Sequence, residues 1–139
     1  MLASGSPLHR RVQCLAASVV VIAIGLALRM EGYRIGLPFV VVKYGGSLLW
    51  GSMVYFLVAA LACQRSPRSV ATLAFGLAVC VELFRLYHTP WLDAFRLTTA
   101  GALLLGRVFS LWNILAYALG IAVAAGLDHW RLARNPERR

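Results

Sequence analysis

Three stretches of this chain run without a charge for long enough to cross a bilayer: Val12 to Leu28, Tyr44 to Gln64 and Val108 to Leu127. A hydrocarbon core about 30 Å thick takes about 20 apolar residues in a helix, and inside it an unpaired strand or loop would leave its backbone polar groups unsatisfied. Composition points the same way, since 60% of the 139 residues are hydrophobic, only 14% are charged and the mean hydropathy is +0.74. An ordinary soluble domain is excluded.

A fourth span is harder to place. The charge-free run from Ser69 to Val81 falls well short of a crossing, and the helix reaches spanning length only by carrying Glu82 and Arg85 into the bilayer and ending near Tyr87. The expected fold is therefore an all-α integral membrane protein, a bundle of four transmembrane helices over about 12–28, 44–64, 69–87 and 108–127. These form one membrane domain, 12–130, between a cytoplasmic segment, 1–11, and a basic cytoplasmic tail, 131–139. Segments 29–43 and 88–107 are too short and too broken by Gly32, Gly36, Pro38 and Pro90 to span, so they are expected at the interface. Within the second, Leu97 to Gly106 is a short charge-free run that either dips into the bilayer as a re-entrant helix or lies flat on it.

The 14 basic residues against 5 acidic ones give a net charge of +9. They punctuate apolar runs instead of clustering, so they describe topology and exclude nucleic acid as a partner. With the N-terminus in the cytoplasm, eight basic residues (Arg10, Arg11, Arg65, Arg68, Arg131, Arg134, Arg138, Arg139) lie inside and six (Arg29, Arg34, Lys43, Arg85, Arg96, Arg107) outside. The positive-inside rule favours that orientation. The first span follows His9-Arg10-Arg11 as a signal peptide would, but no small-residue cleavage site precedes Arg29, so it reads as an uncleaved helix.

Cys14, Cys63 and Cys80 sit in or beside apolar runs, and His9, His88 and His129 are far apart, so neither a disulfide framework, a metal site nor a cofactor is expected. Tyr44, Trp50, Tyr87, Trp91, Phe109 and Trp112 form an aromatic belt at the outer side and Trp130 marks the inner one; Trp91 alone sits in a Pro-Trp-Leu-Asp turn. Ala116, Gly120 and Ala124 make a small-residue stripe for close helix packing.

Polar residues converge in depth. At about 1.5 Å per residue, Glu82 lies about 7 Å below Tyr87 and Asn113 about 7 Å below Val108, while Ser47 enters its span within a turn of Tyr44. Arg85 follows Glu82 at i+3, and Asp93 and Arg96 repeat the spacing just above. Because intramembrane charges face a bundle interior or a water-filled cavity, Glu82, Arg85, Asn113, Ser47, Asp93, Arg96, His88 and Trp91 are the candidate lining of an outward-facing polar pocket, walled by spans two, three and four and roofed by Pro90 to Gly106. The alternative is that Glu82 and Arg85 only neutralise one another as a packing lock.

Lys43-Tyr44-Gly45-Gly46-Ser47-Leu48-Leu49-Trp50, Val81-Glu82, Leu86-Tyr87-His88-Thr89-Pro90-Trp91-Leu92-Asp93-Ala94-Phe95-Arg96, Leu104-Leu105-Gly106-Arg107 and Tyr117-Ala118-Leu119-Gly120 resemble a small bacterial membrane family, domain of unknown function 2809, over about Gly36 to Gly126. That family is in turn similar to VanZ-like proteins, whose spans carry a Glu, an Arg or Gln and a late Asp or Asn, and which are linked to resistance to envelope antibiotics. The resemblance implies a bacterial inner membrane. Where the family has Asp before Leu-Trp this chain has Ser47, and where it has Asp opening the last helix this chain has Asn113. Acid and base catalysis would rest on Glu82 and Asp93 alone, and Arg85, where the family often has Gln, pairs with the first of them. The leading expectation is a small membrane protein without its own catalysis: an accessory or structural subunit with protein partners in the membrane, or a binder of membrane lipids or a small ligand. The runner-up is a VanZ-like enzyme or resistance factor acting on lipid-linked envelope substrates, with Arg85, Arg96 and Arg107 meeting a phosphate or carboxylate head group. Transport ranks third, since four spans without repeats offer little alternating-access machinery.

Overall fold

A computed structural model describes residues 6–134. Among them are six helices: α1 (Pro7–Glu31), α2 (Phe39–Leu61), α3 (Pro67–Phe84), α4 (Pro90–Leu97), α5 (Thr99–Leu104) and α6 (Leu111–Arg134). Four of these, α1, α2, α3 and α6, are long and apolar enough to cross a membrane. They alternate in direction, so the start of α1, the end of α6 and the α2–α3 loop share one end, the termini end. The α1–α2 turn, α4 and α5 share the other, the hairpin end.

Local chemistry sets the helix starts. Pro7, Pro67 and Pro90 each occupy a first turn, where a missing N–H costs nothing. Ser6 and Ser66 accept from the backbone N–H groups of His9 and Ser69 at 3.2 and 3.3 Å. The helices run past their charge-free cores. α1 begins before Arg10 and continues through Arg29, and α2 starts at Phe39, so 29–43 is mostly helix ends joined by a turn from Gly32 to Pro38, with Gly36 at φ +82°. Long cationic side chains at such ends reach outward along their stems, so the charges do not end the helix. α3 is shorter than expected, stopping at Phe84 with Arg85 as its C-cap. The 88–107 segment holds two short helices, because Thr98 turns extended (φ −72°, ψ 157°), ends α4 and caps α5 by accepting from Gly101 N at 3.1 Å.

α2, α3 and α6 pack against one another, while α1 packs along α2 and reaches α6 through the side chains of Arg10 and Gln13. The α2–α6 contact is close to backbone on backbone. A Cβ at Gly51 would lie 2.7 Å from the Tyr117 carbonyl oxygen, one at Gly120 would collide with the Leu48 carbonyl, and Ser52 Oγ donates to the Gly120 carbonyl at 2.9 Å. The stripe Ala116, Gly120, Ala124 lies buried on this face, and α3 brings a matching row, Val70, Ala74, Ala78 and Glu82, all fully buried. Small side chains let helices approach where no hydrophobic force drives them together. The remaining faces, with Val19, Val20, Leu73, Leu77, Leu119 and Val123 about half exposed or more, are the lipid-facing surface.

Candidate functional site

The α3 row that packs the bundle ends on Glu82, and this places its carboxylate in the core with no exposure at all. Each oxygen meets donors. Oε1 accepts from Ser110 N at 2.8 Å and from Asn113 Nδ2 at 3.2 Å, and Oε2 accepts from the Tyr117 hydroxyl at 2.8 Å. Arg85, three residues on, closes the pair with Nη1 2.8 Å from Oε2. Its guanidinium is used up within the protein: Nε donates to the Leu105 carbonyl at 2.7 Å, Nη1 to the Val108 carbonyl at 3.3 Å and Nη2 to the Tyr117 hydroxyl at 2.9 Å. Gly106, at φ +68°, lets the loop sit directly on this guanidinium, for a Cβ there would collide with it. A buried charge keeps its place only when paired and fully hydrogen-bonded, and this one is both.

Of the eight candidates, four are joined in one chain. Ser47 Oγ donates to Asn113 Oδ1 at 3.2 Å, Asn113 reaches Glu82, and Glu82 reaches Arg85. The other four stand apart. Arg96 is buried, but it faces the end of α3, where Nη1 and Nη2 donate to the carbonyls of Tyr87 and Phe84, both at 2.8 Å. It satisfies carbonyls that a helix end leaves open and places a cation at the negative pole. Asp93 stands between Arg96 Nη1 at 3.3 Å and His88 Nδ1 at 3.0 Å on the exposed side of α4, and Trp91 is 70% exposed.

The hairpin end does hold a cavity, of about 570 Å³. Its walls differ from those expected. α1 supplies Val21, Gly25 and Arg29, α2 runs from Phe39 to Met53 along it, the 102–108 segment and the start of α6 close it, and α3 contributes only its C-cap, Arg85. The reason is the packing order: α1 leans on α2 and does not pack on α6 at this end, so a space is left between them. Ser47, Asn113 and Tyr117 sit at its polar floor, with the Trp50 ring tilted at 45° to that of Tyr117, centroids 4.8 Å apart. Arg29, Lys43 and Arg107 also line it, and no carboxylate does among the described residues. Lys43 Nζ rests over the Phe39 and Tyr44 rings at 5.5 and 5.2 Å. Among the described residues no group of three His, Cys, Asp or Glu is arranged to hold a metal ion.

Sequence reasoning missed Tyr117 as a partner of Glu82, although it stands one turn after Asn113 on the same face of α6. It also missed a second buried cluster at the termini end. There Asp128 Oδ2 accepts from Arg10 Nη2 and from the Tyr55 hydroxyl, both at 2.8 Å, and Arg10 donates further to the carbonyls of Cys63 and Arg65. The three side chains come from α1, α2 and α6. The family model described as "Protein of unknown function (DUF2809)" matches residues 36–121, which hold the whole Glu82 cluster but neither Arg10 nor Asp128. No solved structure matches the chain.

Proposed function

We propose, from the premise that the chain belongs to the DUF2809 family of unknown function, that it is a membrane protein without catalysis of its own, which holds an anionic amphiphile in the hairpin-end cavity. The observation that carries this reading is the make-up of that cavity: apolar walls from α1 and α2, and four cations, Arg29, Lys43, Arg85 and Arg107, with no carboxylate among the described lining residues. A space of about 570 Å³ matches the usual size of a ligand pocket. Each Lys or Arg near a membrane surface favours an anionic head group by about 1 kcal/mol. Arg29, Lys43 and Arg107 are the head-group contacts, while Val21, Leu26 and Leu49 face the chain of the amphiphile.

Glu82 and Arg85 serve as the floor that keeps this cavity in shape. In the alternative, an enzyme acting on lipid-linked envelope substrates, Glu82 and Asp93 would have to meet one substrate. Glu82 is enclosed by protein donors, and Asp93 points to the other side of α4. The positive-inside count favours a hairpin end outside a cytoplasmic membrane, with the ligand drawn from the outer leaflet.

Binding of dodecyl phosphate to the purified chain, followed by native mass spectrometry against dodecyl maltoside, tests the proposal. Dodecyl phosphate is expected to bind saturably, and Lys43→Gln with Arg107→Gln to weaken it about tenfold or more, in line with two lost charge-assisted contacts. Equal binding of both detergents, or no effect of the double variant, overturns it. Copurification of a fixed protein partner that occupies the cavity would instead support an accessory subunit.

A further inference from the structure

A second cavity, at about 760 Å³ larger than the one at the hairpin end, lies at the termini end, among the starts of α1 and α3, the α2–α3 loop and the end of α6. Its chemistry is unlike that of the hairpin end. Ser6, His9, Gln13, Gln64, Ser66 and His129 line it beside the apolar Pro7, Pro67, Leu132 and Ala133. Its one carboxylate among the described lining residues, Asp128, is already matched by Arg10 at 2.8 Å. Three further guanidiniums line it, those of Arg65, Arg68 and Arg131. Arg131 is engaged with Gln13 Oε1 at 2.6 Å. Arg65 and Arg68 are exposed, and neither pairs with a carboxylate among the described residues. They flank Ser66, the cap of α3, so both stand at the positive pole of an 18-residue helix.

We infer that this cavity binds a phosphate-bearing anion, held between Arg65 and Arg68 with Arg131 opposite. Two guanidiniums that line one cavity, neither paired with an acid among the described residues, match the chemistry of phosphate recognition. Positive-inside placement alone would account for basic residues at this end, but not for their gathering around one cavity while Arg134, also at this end, lies over the Trp130 ring, 3.9 Å from its centroid. The phosphate belongs either to a lipid head group or to a soluble compound. The inference is independent of the ligand at the hairpin end.

The protein carries its own probe. Cys63 lines the cavity, and Cys80 lies exposed on α3, outside it. The rate at which a water-soluble methanethiosulfonate modifies Cys63 would be measured on the full chain in dodecyl maltoside, at constant ionic strength set with chloride. Pyrophosphate and dihexanoyl phosphatidic acid would be added separately. At least one is expected to slow Cys63 saturably, about tenfold at tenfold excess over its Kd. Protection by pyrophosphate alone marks a soluble ligand, and protection by phosphatidic acid alone marks a lipid. Arg65→Gln with Arg68→Gln is expected to abolish protection, and Gln64→Glu, which keeps both arginines, to weaken it. Arg134→Gln, which removes the same kind of charge outside the cavity, is expected to leave it intact. The inference is overturned if neither compound protects, if the double variant is still protected, or if Arg134→Gln lowers protection as much as the double variant does.

Discussion

The two ends of the bundle solve one problem with one set of side chains, a carboxylate, a guanidinium and a phenol, yet they do so by opposite routes. At the hairpin end acid and base are three residues apart at the close of α3, and the phenol, Tyr117, comes from α6. At the termini end Arg10, Tyr55 and Asp128 come from three helices, and the ion pair joins residues 118 positions apart. The ion pair of the first is set by α3 alone, and α6 then adds Asn113 and the phenol; its acid is fully buried and its arginine 10% exposed. The second exists only once α1, α2 and α6 have met, and its arginine, at 15% exposed, borders a polar cavity. A locally made pair suits a fixed floor, whereas a pair made at a distance acts as a tie between helices.

Removing each acid in turn puts this difference under the heaviest load. Glu82→Ala strands Arg85 and three further donors around a position that is fully buried, so it is expected to cost about 3–5 kcal/mol in reversible unfolding in mixed micelles. Asp128→Ala is expected to cost less, about 2–3 kcal/mol, because Arg10 keeps its carbonyl partners and gains water from the cavity. Equal losses would show that the two ends are equally dry. Gly106→Ala requires a positive φ at alanine and pushes the loop off Arg85, an expected loss of about 1–3 kcal/mol by the same measurement. The phenols matter least to stability: Tyr117→Phe and Tyr55→Phe are each expected to cost about 0.5–1.5 kcal/mol. Cysteine cross-linking would then separate them. Tyr55→Phe is expected to loosen α1 from α6, and Tyr117→Phe to leave that spacing unchanged.

The difference between the ends is also the difference between what was legible in the chain and what was not. An acid stranded at the end of a span that is too short must be drawn inward, and simple rise per residue brings Ser47 and Asn113 to its level. Those steps are local, and the structure joins all three. Choosing the neighbour of each helix is not local: α1 lines the hairpin-end cavity where span three was expected, because it packs on α2 and not on α6 at this end. Asp128 closes an apolar run and so reads as a boundary, and nothing near Arg10 in the sequence names its partner. Arg96 and Asp93 share the i+3 spacing of the Glu82 pair, but α4 turns Arg96 toward the carbonyls at the end of α3, a use that charge and spacing alone do not distinguish from a ligand contact.

The long separation between Arg10 and Asp128 gives the molecule an order of manufacture. Of the four spanning helices, the one made earliest carries a cation whose acid lies on the one made last, so Arg10 has no partner in Asp128 until all four have been synthesised. A copy truncated before Asp128 therefore loses this tie and keeps α1 through its packing on α2.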